Sequence, residues 1–166
     1  ADDLSVLNGY EFSKYNNWGD DLITKISLYT RAVNSLDDSK DVRISERVRL
    51  PRDRLRGFES GKVGPKDGND YVGGNYAASL NFTTNLPMIL PSVQTADFAF
   101  FVDAGNVWGV DYSDTVNESN EIRSAAGIGV NWFTPIGPMN FTLAQPITKA
   151  SSDKTQTFQF SIGTTF

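Results

Sequence analysis

Chemistry in this chain has to come from carboxylates and arginines, because its 166 residues include no Cys and no His. Disulfides, thiol nucleophiles, His-based triads and the commonest zinc sites are therefore excluded. Carboxylate chemistry stays open, but no carboxylate pair stands out by spacing. The basic groups cluster: Lys40 to Lys66 holds nine Lys/Arg against four Asp/Glu, a local charge of +5 in a chain of net charge −5. The remainder must then carry −10. Three arrangements fit such a segment: a solvated basic loop, a loop folded back onto an acidic surface of its own protein, or a site for an external anion such as lipid phosphate. The same stretch runs into Gly57, Gly61, Gly64, Pro65, Gly68, Gly73 and Gly74, a glycine density that makes a long irregular loop. Long loops in compact chains are more often functional than idle.

The elements that must position this loop alternate with period two. Thr155 to Phe166 places Phe158, Phe160, Ile162 and Phe166 on one face and Thr157, Gln159, Ser161, Gly163 and Thr165 on the other. The same alternation runs through Leu4–Ser13, Leu22–Arg31, Tyr76–Thr84, Ala96–Gly105, Ser124–Trp132 and the stretch around Met139, Phe141 and Leu143. Val42–Leu50 also alternates, but Glu46 interrupts its apolar face, so it is a doubtful eighth strand. Turn residues separate the strands, as in Asn16-Asn17-Trp18-Gly19-Asp20 and Pro135-Ile136-Gly137-Pro138. No segment has helical periodicity with caps. The pattern predicts an all-β antiparallel meander.

Water or lipid outside the apolar face is decided by where charge falls. The apolar faces of the seven clear strands carry no Asp, Glu, Lys or Arg, whereas the opposite faces hold Glu11, Lys25, Arg31, Asp97, Asp103 and Arg123. A soluble sandwich also keeps charge off its core face, but it crowds the other face with Lys and Glu. Here Ser, Thr, Asn, Gln, Gly and Ala dominate, which suits a barrel lumen. Lys or Arg at mid-bilayer on a lipid-facing strand costs about 2–4 kcal/mol, which accounts for their absence. Tyr76, Trp132 and Phe166 lie near strand ends, where an aromatic girdle sits. No run of about 18 apolar residues exists to form a transmembrane helix. The mildly polar mean hydropathy is that of a barrel with a wet interior. The expectation is a transmembrane up-and-down β-barrel. Beginning at Ala1 with neither Met nor signal peptide, the chain is expected to be processed or a piece of a longer protein.

Leu55-Arg56-Gly57-Phe58 opens an ordered set of motifs. It continues through Gly73-Gly74-Asn75, Phe101-Val102-Asp103-Ala104-Gly105-Asn106-Val107-Trp108 and Arg123-Ser124-Ala125-Ala126-Gly127-Ile128-Gly129-Val130. Pro135-Ile136-Gly137-Pro138 and Phe158 to Phe166 complete it. From about Ile44 to the end, the chain resembles the C-terminal barrel of the BamA-type insertase family (bacterial surface antigen family) of Gram-negative outer membranes. The resemblance implies the last seven or eight strands of a larger barrel, spanning 1–166, with a signature re-entrant loop at about 50–74. It also implies that Arg56, Gly57 and Phe58 enter the lumen and that Asp103 receives Arg56. Asn81 stands where the family often has a second acid, and can offer Arg56 only a hydrogen bond. Leu50-Pro51-Arg52-Asp53-Arg54 replaces the Gly-Gly usual before the loop. Phe158, Phe160, Ile162, Gly163 and Phe166 form the terminal strand signal, with Gly163 permitting a kink. The implied function is insertion of client β-barrel proteins into the outer membrane by strand templating, without cofactor, metal or covalent chemistry. Outer-membrane lipid, client barrels and accessory assembly lipoproteins are the implied partners, and nucleic acid is not. A two-partner secretion transporter, which shares an Arg-Gly-Phe-type loop, and a small structural or adhesive barrel of eight strands are the alternatives.

Overall fold

A computed structural model describes residues 4–87, 89, 94–116 and 120–163. The main sheet has seven antiparallel strands: β1 (Ser5–Asn17), β2 (Ile23–Ser35), β5 (Tyr76–Asn85), β6 (Ala96–Trp108), β7 (Arg123–Thr134), β8 (Gly137–Thr148) and β9 (Phe158–Ile162). Each pairs with the next, in the order β1-β2-β5-β6-β7-β8-β9, so β1 and β9 are the edges of an open sheet. A two-residue hairpin, β3 (Lys66–Asp67) with β4 (Asp70–Tyr71), sits inside the long β2–β5 connection. The meander puts the 36–75, 109–122 and 149–157 connections at one end of the sheet. Strands of 12 or 13 residues exceed the roughly 9–11 that a tilted strand needs to cross a bilayer. Among the described residues no helix could cross one.

Burial on this sheet is inverted relative to a water-soluble protein. Leu80 is 53% exposed, Ile128 45%, Leu143 58% and Phe158 56%, while Asp103 and Arg123 on the opposite face are 0% exposed. Ser27, Ser79, Asn81 and Gln159 are buried with them. The exposed face is apolar, while the covered face mixes these polar residues with Tyr29, Val33, Ala77, Phe101, Val107 and Ala125, an arrangement that is stable when the outer face meets lipid.

Several strands are longer than their alternation suggested, and one consequence is a correction. β1 continues through Lys14, which is exposed and pairs with Ile26 on the apolar face. One cation therefore does stand on that face. It lies three residues from the strand's end, where a Lys stem reaches the interfacial water. Val42–Leu50 is not a strand of the sheet. It holds a 3-10 turn at Ile44–Glu46 and a single bridge between Val48 and Gly74. Its apolar residues Val42, Val48 and Leu50 are buried against the inner face instead of pointing outward.

The terminal strand is shorter than the alternation from Thr155 suggested. β9 pairs only with Met139–Leu143 of β8, because residues 154–156 bond elsewhere. Phe166 lies outside the described residues.

Candidate functional site

The β2–β5 connection packs onto the inner face of the sheet through its own apolar residues. Val42, Val48, Leu50, Leu55, Phe58 and Val63 form one buried cluster with Tyr29, Val33, Ala77, Val107 and Ala125 from the strands. At the loop base, Pro51 precedes a 3-10 turn at Arg52–Arg54, with Leu50 and Leu55 buried on either side. Burial of side chains at Leu50 and Leu55 thus anchors the segment that replaces a glycine pair.

Arg56 lies against Asp103. Its Nε donates to Asp103 Oδ2 at 2.7 Å and its Nη2 to Oδ1 at 2.7 Å, a bidentate fork. The Arg56 backbone N–H donates to the same Oδ2 at 3.0 Å, and Nη2 also reaches Thr83 Oγ1 at 3.1 Å. The guanidinium lies 3.8 Å from the centroid of the Phe101 ring, within cation–π range. Asp103 is fully buried, so its charge is viable only because these donors surround it.

Asn81 serves the loop differently from the expected contact. Its amide donates to the carbonyl of Arg54 at 2.8 Å, so it holds loop backbone, while the Arg56 guanidinium bonds Asp103 and Thr83. A short carboxamide fixed by Ser79, whose hydroxyl donates to Asn81 Oδ1 at 3.2 Å, is positioned for that carbonyl.

Gly57 has φ of +93°, in the left-handed region. A Cβ there would also approach the Cβ atoms of Ala125 and Ala144 at 3.1 Å. Phe58 is 2% exposed, and its carbonyl accepts a bond from Gln159 Nε2 at 3.0 Å. Gln159 belongs to β9, so the loop touches the terminal strand directly. Phe158, Phe160 and Ile162 face outward from β9, and Phe141 stacks with Phe160 at 5.0 Å between centroids. Gly163 has φ of +87° and donates to the Pro138 carbonyl at 2.9 Å.

Two further ion pairs, each with a fully buried arginine, escaped the sequence reading. Arg47, with a fully buried side chain, donates to Asn75 Oδ1 at 3.0 Å, to the Val42 carbonyl at 2.9 Å and to Asp111. Burial alone would raise the Asp111 pKa, but hydrogen bonds from Asn75, the Val42 N–H and Arg47 outweigh it and hold the carboxyl below its usual range. Arg123 and Asp153 form a bidentate pair at 2.8 and 3.0 Å, both side chains fully buried. Of these four residues, Arg123 carried a signal in its inward parity and Arg47 in its place within the basic segment, whereas Asp111 and Asp153 carried none. Among the described residues no group of three or more His, Cys, Asp or Glu could hold a metal ion.

Residues 7–166 match the Omp85 superfamily domain, a span that begins well before the motif-rich region at Ile44. The outer membrane protein assembly factor BamA of Neisseria meningitidis is 35% identical over 139 residues, covering 68% of this chain and 17% of that protein. A SAM50-like protein of Schizosaccharomyces pombe is 30% identical over 161 residues, covering 86% of this chain and 33% of that one. The crystal structure of BamA from Haemophilus ducreyi lacking POTRA domains 1–3 superposes with a TM-score of 0.83 at 26% identity, covering 96% of this chain and 35% of that chain. The chain thus spans a third or less of the length of these curated relatives. Seven antiparallel strands, an inverted sheet and a loop packed on its inner face agree with these matches, and the chain belongs to the Omp85 superfamily.

Proposed function

We propose that the chain is the C-terminal part, residues 1–166, of an outer-membrane β-barrel that inserts client β-barrel proteins by strand templating, without covalent chemistry. The observation that carries this reading is β9. Among the described residues it pairs with β8 through only five residues, against thirteen between β1 and β2. A strand held by few bonds gives up its edge readily to an incoming strand. In lipid the drive is strong, because unsatisfied backbone groups cost several kcal/mol each. The chain sits in the bacterial outer membrane. Its outer face, with Leu80, Ile128, Leu143 and Phe158, meets lipid.

In this reading Arg56, Gly57 and Phe58 are the tip of a re-entrant loop at about 50–74, and Asp103 and Asn81 are its docking points. Phe158, Phe160, Ile162, Gly163 and Phe166 form the terminal strand signal. Client barrels and accessory assembly lipoproteins are the partners. The BamA relatives are named as assembly factors, in keeping with templating in place of catalysis.

The test is reconstitution of the full-length polypeptide in liposomes with an unfolded outer-membrane barrel as client. Client that becomes heat-modifiable and protease-resistant in the bilayer supports the reading. Client released unfolded into the lumen would point to the secretion transporter and sink it.

A further inference from the structure

Residues 154–156 have two possible strand partners, and the structure shows them on the less obvious one. Their alternation continues that of β9, and the neighbouring end of β8 is in reach of a longer hairpin. Instead, Gln156 N–H donates to the Gly57 carbonyl at 2.9 Å and Glu59 N–H to the Lys154 carbonyl at 2.9 Å. Lys154 N–H donates to the Lys62 carbonyl at 3.1 Å, and Phe58 and Thr155 form an antiparallel bridge. The last bond to β8 is Ala144 N–H to the Thr157 carbonyl at 2.8 Å. Residues 145–148 of β8 extend beyond it, and Pro146 among them has no N–H to offer.

Backbone bonds of one kind replace bonds of the same kind in this choice, so something else must decide it. Asp153 immediately precedes the diverted segment. It is fully buried and locked to Arg123 by the bidentate fork. Arg123 Nη1 also donates to Asn106 Oδ1 at 2.6 Å and to the Glu121 carbonyl at 2.7 Å. Asp153 Oδ2 in turn accepts the Ala150 N–H at 2.7 Å. The pair therefore ties the β8–β9 connection to the start of β7 and to β6. A buried fork fixes direction as well as distance.

Resting on the insertase reading above, we propose that Arg123 and Asp153 are positioning residues that hand the lead-in of the terminal strand to the signature loop. The loop and β9 then move as one unit, and pairing of β9 with β8 stays short. A strand held by so few bonds exposes its edge more readily to a client.

The experiment is amide hydrogen exchange on the full-length polypeptide in lipid nanodiscs, comparing wild type with Asp153→Asn. A second variant adds a disulfide across the loop contact in the Asp153→Asn background (Glu59→Cys with Lys154→Cys). Exchange in peptides covering 57–62 and 154–157 is expected to rise together, about tenfold or more, in Asp153→Asn, with 97–105 in β6 unchanged. The disulfide is expected to restore both, and with them the client insertion rate. A rise confined to 149–154, with 57–62 unmoved, would make the pair a local loop staple and overturn the proposal. So would a joint rise that the disulfide corrects without recovering insertion. Should Asp153→Asn fail to fold by heat-dependent gel mobility, Arg123→Lys, which keeps the charge and loses the fork, is judged by the same criteria. Wild type that never inserts client would instead count against the insertase reading, and the exchange comparison would still decide the coupling.

Discussion

Arg56 holds its place by a fork to a carboxylate that has no water to fall back on. Removing it leaves Asp103 charged and buried at 0% exposure, and breaking such a pair from one side costs about 3–5 kcal/mol. Arg56→Ala is therefore expected to release the loop, seen as new protease cleavage within 50–74 in folded protein. Arg56→Lys keeps the charge but not the bidentate geometry and is expected to fall between the two. Asp111 makes a pH-dependent prediction outside the membrane. Its folded pKa is depressed, so the stability it lends is full above the unfolded value of about 3.9 and is lost as pH falls through the folded one. Exchange of the 42–47 segment, corrected for its intrinsic pH dependence, should rise only below about pH 4 in wild type and show no such step in Asp111→Asn. At this scale the sequence was legible where strand parity applied: Asp103 and Asn81 lie on the inner face for the same reason that Val102 and Leu80 do not. Asp153 and Asp111 sit in connections, where no periodicity points a side chain, and their arginine partners lie 30 and 64 residues away.

From β2 through β7 and again at β9, the strands bury inner-face residues and present their apolar face outward, so substitutions on the two faces should differ. Ile128→Arg, at an outward position in mid-β7, is expected to destabilise by about 2–4 kcal/mol in bilayers, measured by urea-dependent heat modifiability. Lys14→Leu near the end of β1 should be tolerated, since the interface already solvates that ammonium. Strand existence was legible from alternation alone, but strand ends were not. β1, β6 and β8 run on through polar residues because their neighbours continue to supply backbone partners, as Tyr76 does for Trp108. Val42–Leu50 alternates for a different reason: Val48 and Leu50 bury against the inner face, while Arg49 faces out to bond the Tyr71 carbonyl at 3.1 Å. The Thr155 end of the last strand misled because its alternation satisfies the signature loop as well as it would β8.

At the scale of the whole chain, β1 and β9 are the edges of the sheet that the described residues form, each pairing with one neighbour, over 13 and five residues. Neither can be left unpaired in hydrocarbon. The isolated chain in micelles is expected to show no heat-dependent mobility shift as a monomer. The central claim concerns the β9 edge, and the absence of Cys from these 166 residues leaves no background thiol beside it. Single cysteines placed along β9 in the full-length polypeptide would be tested for disulfides with cysteines in a client strand during stalled insertion. The account predicts cross-links in one register, in which each step along β9 is matched by one step along the client. Efficient insertion with no cross-link to β9, or cross-links without register, would contradict it.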